Sequence, residues 1–306
     1  MKNKYSIFSA IVALTVFLYN PAPGFAAILG TAESFAVLGS STVTSTGETI
    51  ISGDLGLSPG PSVVGFAEPP ANTVVEGPGS TGLIDGPGLV SQTIRIADDV
   101  AGQARTDATT AWTGLKNMLF TSDLTDLDLG SFITPLPSGI YHFDTSAQLT
   151  GNLILDAQGL DNAYWAFLIG STLTTASDSS VTLINPGENS GLFWQVGSSA
   201  TLGTNTSFMG NILALQSVTL NTGADIICGR AIALNGEVKM DTNEISAICG
   251  EGFNRSFSGA FEYDDNGDVV PISRNSSTVP EPATLSLLGL GLLGLCSRKN
   301  KLQSKK

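Results

Sequence analysis

Histidine is nearly missing: His142 is the only one in 306 residues. It sits in a strand-like run between Tyr141 and Phe143. Acid–base chemistry needs an oriented partner, so a lone strand histidine reads as structural. No Ser-His-Asp set can be assembled, and no Cys or His cluster has metal-ligand spacing. The chain is therefore expected to have no catalytic residues, no metal and no cofactor. Basic residues are also scarce, 14 against 27 acidic ones. Two of the 14 precede residue 27 and five follow residue 297, while one acidic residue, Glu281, follows residue 278, so residues 27–278 carry about −19. A surface of that sign excludes nucleic acid and anionic membrane as partners. Charged residues are only 13% of the chain. Low charge with abundant Gly, Thr and Ser suits a β-rich wall better than a helical enzyme core.

Long apolar runs occur only at the ends. Lys2 and Lys4 precede an apolar run from Ile7 to Leu18, and Gly24-Phe25-Ala26 supplies the small residues of a cleavage site. Residues 1–26 are predicted to be a signal peptide cut after Ala26. At the other end, Val279-Pro280-Glu281-Pro282 leads into apolar residues 283–296 and then Arg298, Lys299 and Lys301. That stretch is shorter than the ~20 residues of a stable span. Its order resembles the PEP-CTERM sorting signal of Gram-negative bacteria that make exopolysaccharide. The resemblance implies removal of the tail (279–306) by an exosortase; an ordinary anchor is the alternative. Either way the protein is expected to be secreted or held at the cell surface.

Between the ends a phrase recurs: Thr172-Leu173-Thr174-Thr175, Thr201-Leu202-Gly203-Thr204, Thr219-Leu220-Asn221-Thr222 and Lys239-Met240-Asp241-Thr242. The last three copies start roughly 20 residues apart, the length of one solenoid turn, and such units bury a face only against their neighbours. Strand alternation sends Leu202, Leu220 and Met240 inward and Thr201, Thr219 and Lys239 outward. The fold class is thus an all-β solenoid. About 250 residues make one large domain, set at 27–250, with 251–278 as a polar spacer holding at most one hairpin around Asp264–Asp268. That acidic turn lacks the glycine and distant glutamate of a calcium loop. Residues 66–88 are rich in Gly and Pro, show no period and read as a capping loop.

From 91 to 119 the period changes. Ile94, Ala97, Ala101, Ala104, Ala108, Ala111, Leu115 and Met118 recur at steps of 3 and 4, the apolar stripe of one long helix. Cys296 belongs to the tail, which leaves Cys228 and Cys249, each in an Ile-Cys-Gly phrase. Their separation along the chain is close to one coil. They are either bonded across adjacent rungs or two buried thiols.

Several longer phrases carry a family resemblance. Residues 170–177, 193–204, 210–215 and 232–236, with Gly53-Asp54-Leu55-Gly56-Leu57-Ser58-Pro59-Gly60 and Leu155-Asp156-Ala157-Gln158-Gly159 in the same order, resemble the DUF3494 ice-binding family. The resemblance implies a right-handed, discontinuous β-helix of triangular section, a long helix alongside, and first strands docked beside C-terminal coils. It also implies a cofactor-free site on a flat face. Carried onto this sequence, that site falls on Ser40, Thr42, Thr44, Thr172, Thr174, Ser199, Thr201, Ser217, Thr219 and Asn221. Glu237, Lys239 and Asp241 put charges on the last coil, which is expected to stand outside the site.

Outward side chains at i and i+2 lie ~6.7 Å apart and neighbouring rungs ~4.8 Å apart. Such a grid of hydroxyls and methyls is commensurate with water spacings in ice, although strand Thr is also ordinary β-sheet composition. The expected function is a monomeric, extracellular ice-binding protein whose partners are an ice surface and a processing exosortase. The alternative is an exopolysaccharide-matrix or adhesion protein using the same face. A weaker enzyme reading would pair carboxylates such as Asp54, Asp156 and Asp225.

Overall fold

The computed structural model describes residues 27–249 and 257–272. The readings made for 1–26, 250–256 and 273–306 lie outside these residues. Parallel strands stack into a solenoid with three walls, and the chain changes wall at each corner. One wall holds, in stack order, Ala147–Leu149, Leu173–Thr175, Ala200–Leu202, Val218–Leu220, Val238–Asp241, Val43–Thr46, Ser62–Phe66 and Gly82–Asp85. The order is discontinuous: the last coil of the sequence is followed in space by the first. Val238 pairs with Val218 on one side and Val43 on the other. Stacked positions lie 26 residues apart at Ser146 and Thr172 and 27 apart at Asp178 and Asn205, then 18 apart at Ser199 and Ser217 and 20 apart at Ser217 and Glu237. The short period seen in the sequence therefore belongs to the later coils.

The interior is apolar and continuous. Leu173, Leu202, Leu220 and Met240 point inward beside Val196, Ala214 and Ala233. An aromatic file runs along the stack, Tyr141 to Phe167 at 5.4 Å, Phe167 to Trp194 at 4.1 Å and Trp194 to Phe208 at 4.9 Å between centroids. Each such side chain buries roughly 150–250 Å² and contributes on the order of several kcal/mol. Glycine sets one corner. A Cβ on Gly170 would come 2.2 Å from Asp144 O, and one on Gly197 would come 2.3 Å from Gly170 O. No side chain fits there, and the chain leaves each corner in the same direction.

A second wall, built around Gly139–Phe143, Tyr164–Ile169, Gly191–Val196 and Phe35–Gly39, is covered by the helix. That helix spans Asp99–Lys116, shorter than the predicted 91–119. Residues 93–96 are instead a strand paired with Asp54–Leu57, and Ile94 is buried in the solenoid core. Ala97 turns with φ 53°, and Asp98 caps the helix by accepting from the Ala101 amide. Within the helix, Ala101, Ala104, Ala108, Ala111 and Leu115 are buried as the stripe predicts. Small side chains let it lie close to the sheet, and Trp112 Nε1 donates to Val196 O at 3.1 Å to fix it there. The expected capping loop at 66–88 carries two strands, Thr73–Glu76 and Gly82–Asp85, which end two walls.

Two further connections close the domain. Cys228 and Cys249 are bonded, with Cα atoms 5.0 Å apart. Residues 257–272 carry the expected single hairpin, Phe261–Tyr263 with Val269–Pro271, but it packs onto the domain. Phe261 and Val269 are buried against Phe193 and the helix. Beneath this strap Arg230, 2% exposed, donates from Nη1 to Asn211 Oδ1 at 2.7 Å and from Nε to Glu33 O at 3.2 Å, and pairs with Glu33 Oε1 at 3.3 Å. Ser258 donates to Glu33 and Asn211 Nδ2 to Phe257 O, so one charged group joins the start of the domain to its end.

Candidate functional site

This wall of short strands, three to five residues each, is built for regular presentation. Every strand but the last, Gly82–Asp85, alternates buried and outward positions, and the register holds from rung to rung: Gln148, Thr174, Thr201, Thr219, Lys239 and Thr44 face one another in a single file, continued by Val64. Ile84 closes it at the far edge. Eight rungs at ~4.8 Å make a file of about 34 Å. Among the described residues the hydroxyls of Thr44, Thr174, Thr201 and Thr219 make no hydrogen bond to protein, which leaves their donors and acceptors to solvent.

A second file lies two residues upstream, at Ser146, Thr172, Ser199, Ser217, Glu237 and Thr42. Its hydroxyls are partly committed. Ser199 Oγ accepts from Ser217 N at 3.3 Å, Ser217 Oγ accepts from Glu237 N at 3.2 Å, and Thr172 Oγ1 donates to Ser146 Oγ at 2.8 Å. These bonds hold the rung edges in line. Asn221 begins a third file and is exposed beside Asp241.

Nine of the ten residues expected to form the site thus lie on this wall. Ser40 does not: it is 4% exposed, at the corner before the strand, where its N–H donates to Gly236 O. Alternation counted back from Thr44 and Thr42 reaches Ser40 only if the strand runs straight, and the chain bends after Gly39. The charged coil has a definite place in the stack: Glu237, Lys239 and Asp241 lie in the middle of the wall, between the rung of Thr219 and the rung of Thr44. Sequence reasoning also missed Ser146 and Gln148, whose strand Ala147–Leu149 opens the stack. The signal was there, in the alternation Ala147, Gln148, Leu149, Thr150.

The charged rung is held laterally. Thr42 Oγ1 donates to Glu237 Oε2 at 3.4 Å, and Thr222 Oγ1 donates to Asp241 Oδ2 at 2.5 Å. The hydroxyl of Thr222, followed by those of Thr242 and Thr46 and the charge of Lys239, keeps the Asp241 carboxyl below the usual carboxylate range. Lys239 is exposed and has no ion pair among the described residues.

The other two walls present different surfaces. The helix-side wall is covered, and the third exposes Ile50, Leu89, Ile154 and Ile227 together with Asp225 and Glu244. Carboxylates considered for glycan cleavage are occupied elsewhere: Asp54 accepts from Thr93 N, Asp225 from Glu244 N, and Asp156 from Gln158 N and Asn185 Nδ2. His142 stacks on Phe120 at 4.5 Å, with Asp123 and Asp144 each 3.7 Å from a ring nitrogen.

A sequence model described as Ice-binding-like matches residues 37–246, and one described as PEP-CTERM protein-sorting motif matches residues 278–301. The chain is 44% identical over 297 residues to an ice-binding protein of Nostoc sp. (strain HG1), covering 96% of this chain and 94% of that one. The crystal structure of an ice-binding protein from the Antarctic ascomycete Antarctomyces psychrotrophicus superposes with TM-score 0.62 at 33% identity, covering 72% of this chain and 98% of the other. An ice-binding protein from an Antarctic biological consortium gives TM-score 0.59 at 36% identity, over 71% and 89%. With two thirds of its length matched by the family model and its three-walled stack shared with these structures, the chain belongs to the Ice-binding-like family.

Proposed function

We propose that this protein is exported and adsorbs to ice through the hydroxyl-bearing wall, slowing crystal growth or recrystallisation without catalysis. The observation that carries the reading is the register-locked file of Thr174, Thr201 and Thr219, with unengaged hydroxyls and Thr172, Ser199 and Ser217 beside them. A net hydrogen bond contributes only ~0.5–1.5 kcal/mol. Adsorption must therefore sum many contacts on a surface already fixed before ice arrives. The solenoid supplies that fixity through its ladder bonds, so little side-chain ordering remains to be paid on contact. Thr is suited because it is stiff at χ1 and sets a methyl beside each hydroxyl.

The sorting motif supports export to the cell surface or beyond, with a signal peptide cut after Ala26 and exosortase removal of the tail as the finer steps. A second reading, contact with exopolysaccharide or a matrix protein, is favoured by one feature: the ionic rung Glu237, Lys239 and Asp241 inside the same wall. The deciding experiment is an ice-recrystallisation assay on the purified protein with Thr201→Tyr and Thr219→Tyr. Each tyrosine stands above the plane and lifts neighbouring rungs off a flat crystal. Losing even two contacts of ~1 kcal/mol raises the inhibitory concentration by roughly tenfold or more. Full activity in both variants, with unchanged melting temperatures, would move the contact to another wall.

A further inference from the structure

The hydroxyl-bearing wall is not uniform, and one charged rung interrupts its threonines. Along the central file the sequence is Gln148, Thr174, Thr201, Thr219, Lys239, Thr44, Val64 and Ile84. Threonines stand on both sides of Lys239 in unbroken register. The flanking files show the same break: Ser217 and Thr42 enclose Glu237, and Asn221 and Thr46 enclose Asp241. We infer that Lys239 is the boundary residue of the ice contact: it confines adsorption to the rungs of Thr174, Thr201 and Thr219 and keeps the Thr42–Thr44 rung from joining them. This inference rests on the ice-binding reading of the wall.

Geometry and solvation both lead there. Threonine ends two atoms beyond Cα, whereas Lys239 carries an ammonium on four methylene groups. A crystal plane resting on Thr219 cannot reach Thr44, one rung beyond Lys239, without displacing that group. The displaced ammonium is strongly hydrated. It has no ion-pair partner among the described residues to replace the lost water. Asp241 feels its charge without forming an ion pair with it, and ice offers no mobile dipoles, so contact over this rung removes hydration that is replaced only in part. The carboxylates beside it are tethered to neighbouring rungs, Glu237 by the Thr42 hydroxyl and Asp241 more closely by that of Thr222. Nothing in the fold requires a lysine here. The position is exposed, its neighbours Val238 and Met240 supply the buried contacts, and threonine suits an outward strand site.

The test uses four variants of the purified protein: Lys239→Thr, Thr44→Tyr, the two combined, and Thr201→Tyr. Thermal hysteresis and recrystallisation inhibition are read at equal concentration, and circular dichroism melts monitor folding. Lys239→Thr creates a continuous file of five threonines, and activity is expected to rise by about two- to tenfold, the factor of one added hydrogen bond. Thr44→Tyr alone is expected to leave activity within a factor of about two. In the Lys239→Thr background it removes the gain. If Thr44→Tyr alone costs as much as Thr201→Tyr, the contact already spans Lys239 and the inference is overturned, whether or not Lys239→Thr folds. An unchanged or lower activity in folded Lys239→Thr overturns it too. If Thr201→Tyr itself changes nothing, it is the ice-binding reading of this wall that fails.

Discussion

Replacing Arg230 by methionine keeps most of the stem and removes the guanidinium, which isolates the contribution of a charge buried between the two ends of the domain. Arg230 is 2% exposed, and burial pulls its guanidinium below its usual range, with Glu33 opposing that shift. The variant strips Asn211 Oδ1 and the Glu33 carbonyl of their cationic donors and leaves the Glu33 carboxylate without its counter-charge. Breaking a buried pair from one side typically costs about 3–5 kcal/mol. Glu33 is 31% exposed, so water recovers part of its loss and the lower half of that range applies. At roughly 2–4 °C per kcal/mol for a domain of about this size, the melting temperature should fall by about 6–16 °C. The assay is a thermal melt of the purified protein followed by circular dichroism, with limited proteolysis near Phe257–Phe261 to detect release of the strap. A shift under about 2 °C would refute the claim that this charge fastens the strap, because even one unpaired buried acceptor costs more.

Two further outcomes concern the disulfide and the hydrogen-bonded carboxylates. Reducing the Cys228–Cys249 bridge, or replacing both residues by serine, frees a loop of 21 residues and should cost about 3 kcal/mol by loop entropy, seen as a lower midpoint in urea. Acid should destabilise the fold with a definite sign. The Asp241 carboxyl is lowered by the Thr222 hydroxyl, and that of Asp156 by the Asn185 amide and then the Gln158 N–H. For Asp128, burial pulls upward and is outweighed by the Thr150 and Gly130 amides. Depressed carboxylates stabilise above their unfolded pKa of about 3.9 and lose that contribution as pH falls through their folded values, so melting temperature should be flat from about pH 5 to 8 and fall below about pH 4.

Much of this architecture is legible in the chain because its determinants are local. Alternation at Leu173-Thr174-Thr175 or Val218-Thr219-Leu220 places side chains inside or outside with no knowledge of the partner strand. The alanine stripe from Ala101 to Leu115 does the same for the helix. The predicted helix start falls too early because Ile94 and Ala97 continue the 3–4 stepping by coincidence while Ile94 and Ile96 also alternate. Pairing with Leu55 and Leu57 decides for the strand. Asp98, a good N-cap residue, marks the true boundary. What no local pattern contains is stack order. The sequence makes Lys239 part of a last coil, and only the docking of Val43–Thr46 against Val238–Asp241, from opposite ends of the domain, turns that edge into an interior rung.

The same interleaving governs when the molecule can take shape. A chain built from its amino end delivers Phe35–Gly39 and Val43–Thr46 early, together with one neighbour each, Asp54–Leu57 and Ser62–Phe66, yet the partners of their other edges, Asp225–Ala233 and Val238–Asp241, arrive last. The opening strands must wait with one edge open while nearly the whole domain is made, and closing so large a loop is slow. Completion is therefore a single late event, and a molecule interrupted anywhere before the final coil keeps an unfilled slot in its sheet.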